Sequence, residues 1–287
     1  MTNKIYDRKP VDELTFADDG MFQEVMREPQ ICAELIERLL HIKVGHVEYP
    51  ELEKQIKPFY TTKGVRLDVY LKDNEKVIDV ELQCYPQDAL GKRTRYYQSM
   101  LDMDTLMKGQ DYTELKESYV LFICKQEPFF ADEEKKKPYG LPCYTFKNTC
   151  AENADVNLND KSVKVIYNSK AYKSVKDEKI RTLLQYISTN EPGKDAFTNR
   201  LSEIVEKIKE NEKFRSDYAA MNLHDRDIMR MAKKEGREEG AQEKAIDAAR
   251  SLYENGVSIE LIAKSLKMTE EQVKEIVSAH AKEAVTV

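Results

Sequence analysis

The stretch GVRLDVYLKDNEKVIDVELQ, residues 64–83, decides how the chain is read. Apolar and polar residues alternate, a turn falls at Asp73-Asn74-Glu75, and the chain returns through more β-branched residues. That pattern predicts an antiparallel hairpin. Asp68 and Glu81 interrupt it, and strand interiors disfavour both residue types. With Asn74-Glu75 as the turn, Asp68 comes opposite Glu81, Arg66 opposite Gln83, Leu67 opposite Leu82 and Val69 opposite Val80. Side chains facing one another in such a pair stand about 4.5–5.5 Å apart at Cβ, and like charges there repel. A proton, a neighbouring arginine or a cation has to offset the repulsion. Hard divalent ions such as Mg²⁺ take carboxylate oxygens and complete their shell with water and phosphate. Two readings stand at this point: a small metal platform, or a polar sheet face neutralised by Arg66 and Lys76.

The flanking sequence supplies a mixed α/β frame. Residues 18–40, DDGMFQEVMREPQICAELIERLL, have helical periodicity that Pro29 divides into two helices. A strand is expected around VGHVEYPEL (44–52), before the hairpin. KRTRYYQSMLDMDTLM (92–107) places Tyr96, Met100, Met103, Leu106 and Met107 at helical spacing. SYVLFIC (118–124) is fully apolar and reads as a buried strand. KSVKVIYNS (161–169) is a further strand and DEKIRTLLQYIS (177–188) a helix. Between them, EPFFADEEKKKPYGLP (127–142) reads as a long surface loop. Its Lys135, Lys136 and Lys137 are read as solvated beside acidic neighbours, with a DNA-facing basic patch as the alternative.

Beyond residue 194 helix formers dominate, with Gly236 and Gly240 marking a weak point, since glycine inside a helix costs about 1 kcal/mol relative to alanine. The last stretch, residues 249–280, predicts a helix, a turn at Asn255-Gly256, a short helix capped by Ser258, and a third helix opened by the capping box Thr269 to Gln272. This is helix-turn-helix-like. Acidic residues Glu270, Glu271 and Glu275 on the third helix favour packing or oligomerisation over DNA reading. The expected domains are 1–193, a helical linker region 194–244, and a small helical domain 245–287.

Composition narrows the function classes. The 287 residues are 41% hydrophobic and 34% charged, which suits a globular protein. No apolar run reaches the roughly 20 residues of a membrane span, so no membrane partner is expected. The N-terminal MTNKIYDRKPVDELTF lacks an apolar signal core. Five scattered cysteines without a CxxC pair suit a reduced chain, and the expected location is cytoplasmic. A net charge of −6 argues against a broad non-specific nucleic-acid binder but leaves room for a local basic groove.

Asp68, a hairpin return, and Glu81-x-Gln83 on an apolar strand resemble the PD-(D/E)XK nuclease motif. Together with KRTRYYQSMLDMDTLMKGQDYTELKESYVLFIC, YTFKNTCAEN and KKEGREEG, they resemble the Rpn family of recombination-promoting nucleases and proposed transposases, over most of residues 10–245. The resemblance implies a restriction-endonuclease-like core, a mixed sheet flanked by helices, here with an all-helical C-terminal extension. It implies a Mg²⁺-dependent DNA endonuclease (Mn²⁺ as a substitute) linked to recombination, mobile elements or defence. Asp68, Glu81 and the Leu82 carbonyl would hold the ion. Gln83 stands at the motif's lysine position and brings no positive charge. Arg95, or Lys92, is expected to deliver that charge, with Lys92, Arg93 and Gln98 as DNA contacts and Tyr96 as core. Asp19 and Glu24 are read as a helix cap and a solvated side chain rather than as an extra acid. Nothing resembles the spaced three-acid transposase core, so cleavage without autonomous strand transfer is expected. The competing expectation, prompted by Gln83 and the acidic balance, is a catalytically degenerate fold that only binds DNA or a partner. A homodimer is expected where both strands are cut.

Overall fold

The computed structural model describes residues 9–44, 51–56, 65–72, 75–85, 89–132, 134–220, 240 and 244–283. Helices α1 (Asp19–Met26) and α2 (Pro29–Leu40) precede strands β1 (Glu51–Ile56), β2 (Val65–Lys72) and β3 (Lys76–Gln83). Pro29 opens α2, where the amide hydrogen it lacks has no helical partner to lose. Helix α3 (Leu90–Thr105) leads to β4 (Glu117–Cys124). A hairpin of β5 (Phe130–Asp132) and β6 (Lys137–Pro138) follows, then β7 (Cys143–Phe146), β8 (Ser162–Asn168), α4 (Glu178–Thr189) and α5 (Ala196–Glu210).

The main sheet runs β1-β2-β3-β4-β8-β7. Its β1, β2 and β3 pair antiparallel, β3, β4 and β8 pair parallel, and β7 returns antiparallel along β8. This is the mixed α/β core expected. β3 lies between an antiparallel and a parallel neighbour, and every residue from Val77 to Gln83 is buried. Strands covered on both faces lose the in–out alternation of half-buried ones.

Helix α3 covers one face. Its Tyr97, Met100 and Leu101 join Tyr70, Val77, Val120 and Phe122 in a single apolar cluster. On the other side the Tyr167 hydroxyl of β8 donates to the Leu39 carbonyl of α2 at 2.7 Å. Helix α5 packs on α1 and α4. Arg38 of α2 pairs with Asp195 at 2.8 Å, and Asp195 also caps α5 by accepting the Thr198 N–H. Each large apolar side chain so buried stabilises the fold by roughly 1.5–3 kcal/mol.

Three expectations change. The interval 127–142 is not a plain loop: it holds the β5–β6 hairpin, and β7 follows it as the sheet's edge strand. The strand expected at 44–52 begins at Glu51, while residues 45–50 lie outside the described set. The first part of the expected linker is α5, which belongs to the sheet unit, Lys9–Arg215.

The described residues after 215 form a second compact unit. A helix over 244–254 ends at Gly256, whose φ of +81° lies in the left-handed region that glycine adopts without cost. Helices Ile259–Leu266 and Glu270–Glu283 follow, around Ala249, Ile262, Ala263 and Val273. The capping box is reciprocal: the Thr269 amide donates to Gln272 Oε1 at 2.9 Å, and the Gln272 amide to Thr269 Oγ1 at 3.2 Å. Ser258 holds the cap position, but its side chain makes no cap hydrogen bond. Gly240 is helical, and Gly236 lies outside the described residues. None of the five cysteines forms a disulfide. Among the described residues no helix is long and apolar enough to cross a membrane.

Candidate metal centre

The β2–β3 ladder keeps the expected register from Lys72 opposite Val77 to Val69 opposite Val80, and it ends there. The direct pairs expected further along, Asp68 with Glu81, Leu67 with Leu82 and Arg66 with Gln83, do not form. Leu67 and Arg66 pair only with Lys54 and Gln55 of β1. The acids themselves open the ladder. Glu81 Oε1 accepts the Asp68 amide hydrogen at 2.9 Å, and Asp68 Oδ2 accepts that of Leu82 at 3.4 Å. Side-chain carboxylates thus take the place of the missing ladder carbonyls, and both are drawn to one spot.

Arg93 closes the site from the first turn of α3. Its Nη2 donates to Glu81 Oε2 at 3.0 Å and its Nη1 to Gln83 Oε1 at 2.9 Å. The Tyr97 hydroxyl accepts from the same guanidinium at 2.8 Å, which lies 5.0 Å from the Tyr97 ring centroid and 5.5 Å from that of Phe122. Such stacking suits arginine's flat, weakly hydrated head group. Glu81 is only 1% exposed, so this is a buried charge with a paired partner, as burial requires. Burial first, then the charge on Glu81, pushes the Tyr97 phenol up to about 12, so it stays protonated.

The sequence reading placed its charge differently. Arg95 and Lys92 are exposed. At 100° per residue, Arg95 is turned roughly 200° around the helix from Arg93. Gln98 is buried, and its amide donates to Ser118 of β4 rather than facing outward. Glu24 pairs with Arg27 at 2.7 Å on the surface, and α1 instead presents Gln23, whose amide approaches Asp68 Oδ1 at 3.5 Å. The side chain of Asp19 lies outside the described residues. Tyr96 packs, partly buried, against the α3-side core.

Asp79 is a further acid to which the motif assigns no role. It sits two residues before Glu81, on the same face of β3, and is 0% exposed. Among the described residues neither of its carboxylate oxygens has a hydrogen-bond partner. Burial first, then the charges on Glu81 and Asp68, hold its pKa well above the ordinary carboxylate range, while Arg93 pulls the other way. An unsatisfied buried carboxylate is costly.

The donor set suits a hard divalent ion. Among the described residues no group of three or more His, Cys, Asp and Glu is placed to hold a metal. An ion here would therefore rest on Asp68, Glu81 and the Leu82 carbonyl, with water and phosphate completing its shell, as Mg²⁺ prefers. The orphaned oxygens of Asp79 stand two residues from Glu81 on the same face of β3, a further oxygen donor beside the pair.

A mixed sheet flanked by helices, with an acid on the second strand and Glu-x-Gln on the third, defines a nuclease core of the PD-(D/E)XK class. Residues 20–255 match the model of the PD-(D/E)XK nuclease family transposases, and the chain belongs to that family. No curated protein and no solved structure shows a significant match.

Proposed function

We propose that the chain is a Mg²⁺-dependent DNA endonuclease acting at the Asp68–Glu81 pair, in recombination, mobile-element movement or defence. The observation that carries the reading is the opened ladder, in which each acid accepts a backbone N–H from the other's strand. Those bonds hold both carboxylates pre-oriented, so little reorganisation is needed when an ion and a phosphodiester arrive. A divalent ion supplies charge to the transition state and makes water acidic enough to attack at neutral pH.

The remaining steps belong to the chain's own residues. Gln83 cannot supply the charge that the motif's lysine would, and its amide orients water or substrate instead. Arg93 supplies the positive charge, because its guanidinium is anchored to Glu81 and Gln83 and retains solvent access at 29% side-chain exposure. Arg95, Lys92 and other exposed cations contribute at most to general attraction of DNA. Cutting both strands needs two such sites, which a pair of chains supplies.

The test is conversion of supercoiled plasmid with Mg²⁺ or Mn²⁺, run beside Asp68→Ala. Ion-dependent nicking lost in the variant supports hydrolysis. No nicking with either ion, together with a retained mobility shift, supports the second reading, a degenerate fold that only binds DNA, which the glutamine at position 83 favours.

A further inference from the structure

A cleft of about 530 Å³ opens at the carboxyl ends of β4 and β8. The carboxyl edge of parallel strands is where α/β sheets bind ligands, and the volume is that of a small-molecule pocket. One wall is the β5–β6 hairpin, with Phe130 and Lys136; the other is the turn after β8, with Lys170. Between them stand Gln126, Glu127 and Asn168.

The floor is braced. Asn168, fully buried, donates from Nδ2 to Glu127 Oε2 at 2.7 Å and accepts the Lys170 amide hydrogen at 3.1 Å. Glu127 Oε1 accepts from the Tyr144 hydroxyl at 3.1 Å, so both of its oxygens are engaged by neutral donors. The lysine side chains are exposed, and the Lys136 ammonium lies 5.0 Å from the Phe130 ring centroid. The half-buried amide of Gln126 makes no hydrogen bond among the described residues.

The cleft is tied to the acid pair. Gln83, Cys124 and Asn168 are register neighbours across β3, β4 and β8. Two strand spacings put Asn168 roughly 10 Å from Gln83. The Lys125 amide donates to the Gln83 carbonyl at 2.8 Å, and Gln126 and Glu127 follow directly.

We infer that this cleft holds one unpaired nucleotide of the substrate strand beside the scissile phosphate, its phosphate on Lys136 and Lys170 and its base between Phe130 and the Gln126 amide. The inference rests on the nuclease reading for its substrate but not on catalysis. An aromatic wall beside cations suits an unstacked base on a charged backbone. A base still paired in a duplex cannot enter such a pocket, so the chain prefers single-stranded or gapped DNA to intact duplex.

Binding of a short fluorescent oligothymidylate, and of a matched duplex, is followed by anisotropy across a salt series without divalent ions, in full-length protein carrying Asp68→Ala. Lys136→Ala with Lys170→Ala is expected to reduce the single-strand salt slope by about 0.7, the worth of the one phosphate the two lysines share. Phe130→Leu is expected to weaken oligothymidylate about ten-fold and leave duplex unchanged. The exposed-lysine control Lys194→Ala with Lys207→Ala should leave the slope as it was. An unchanged slope in the cleft variant, an equal loss in the control, or equal affinity for the two DNAs overturns the proposal. Strand binding through the cleft without cleavage in the unmutated protein would sink the hydrolytic reading alone. Cleavage with no effect of the cleft variants would sink this one alone.

Discussion

Asp68 and Glu81 each accept a backbone amide from the opposite strand, at 3.4 and 2.9 Å, in place of ladder carbonyls. An ion held by the two carboxylates would therefore stabilise the strand pair as well as serve the proposed chemistry. At an ion concentration about 100-fold above Kd the gain is about 2.7 kcal/mol. For a unit of this size that raises Tm by roughly 5–10 °C. Differential scanning fluorimetry with Mg²⁺ should show the rise in the unmutated chain and none in Asp68→Ala. A rise of equal size in both would place the ion elsewhere.

Arg93 and Arg95 separate cleanly. Arg93→Ala removes the donor to Glu81 and Gln83, and loss of one such preorganised donor costs about 100–1,000-fold in rate. It also leaves Glu81 buried without its paired charge, so Tm falls. Arg95→Ala should leave cleavage and Tm near those of the unmutated chain. If initial rates of plasmid nicking fall equally in the two variants, the assignment of the charge to Arg93 fails.

Restoring the motif's lysine should not help. Gln83→Lys deletes the acceptor that Arg93 Nη1 holds at 2.9 Å and sets an ammonium against the guanidinium. A lost buried acceptor costs about 1–3 kcal/mol. The expected outcome is a lower Tm with no gain in cleavage. A faster enzyme would show that Arg93 does not carry the charge.

Asp79 makes the ion-free protein sensitive to pH. Its folded pKa is raised, so between the ordinary carboxylate pKa, about 3.9, and the folded value the native state holds a proton that the unfolded chain has released. Stability contributed there is greatest at low pH and declines as pH rises through that window. Thermal melts in chelator should show Tm falling with pH more steeply in the unmutated chain than in Asp79→Asn, and added Mg²⁺ should shrink the difference. Parallel slopes would remove Asp79 from the account.

Local pattern carried much of the fold. Alternation and turn residues set the hairpin register, Pro29 marked the break between α1 and α2, and Thr269 with Gln272 marked a helix start. Strand β7 escaped notice because its partner β8 lies some way along the chain and its own text, CYTF, sits between turn-forming segments. Apolar spacing alone does not give the buried face of α3: Met103 and Met107 share the helical spacing of Met100, yet they are 52% and 62% exposed. Leu90, Thr94, Tyr97 and Leu101 mark the buried face, and Arg93 stands beside it. Choosing that stripe would have favoured Arg93 over Arg95. The parity of Asp79 with Glu81 was legible. That neither of its oxygens finds a donor among the described residues was not, because that depends on the tertiary packing around β3.

The short bond from the Lys125 amide to the Gln83 carbonyl has a geometric consequence. It clamps neighbouring strands at the rim, so the two ends of the working surface cannot drift apart. With a nucleotide seated in the cleft, the chain becomes a molecular ruler, and fragments from unrelated targets would share one constant offset between the anchored residue and the break.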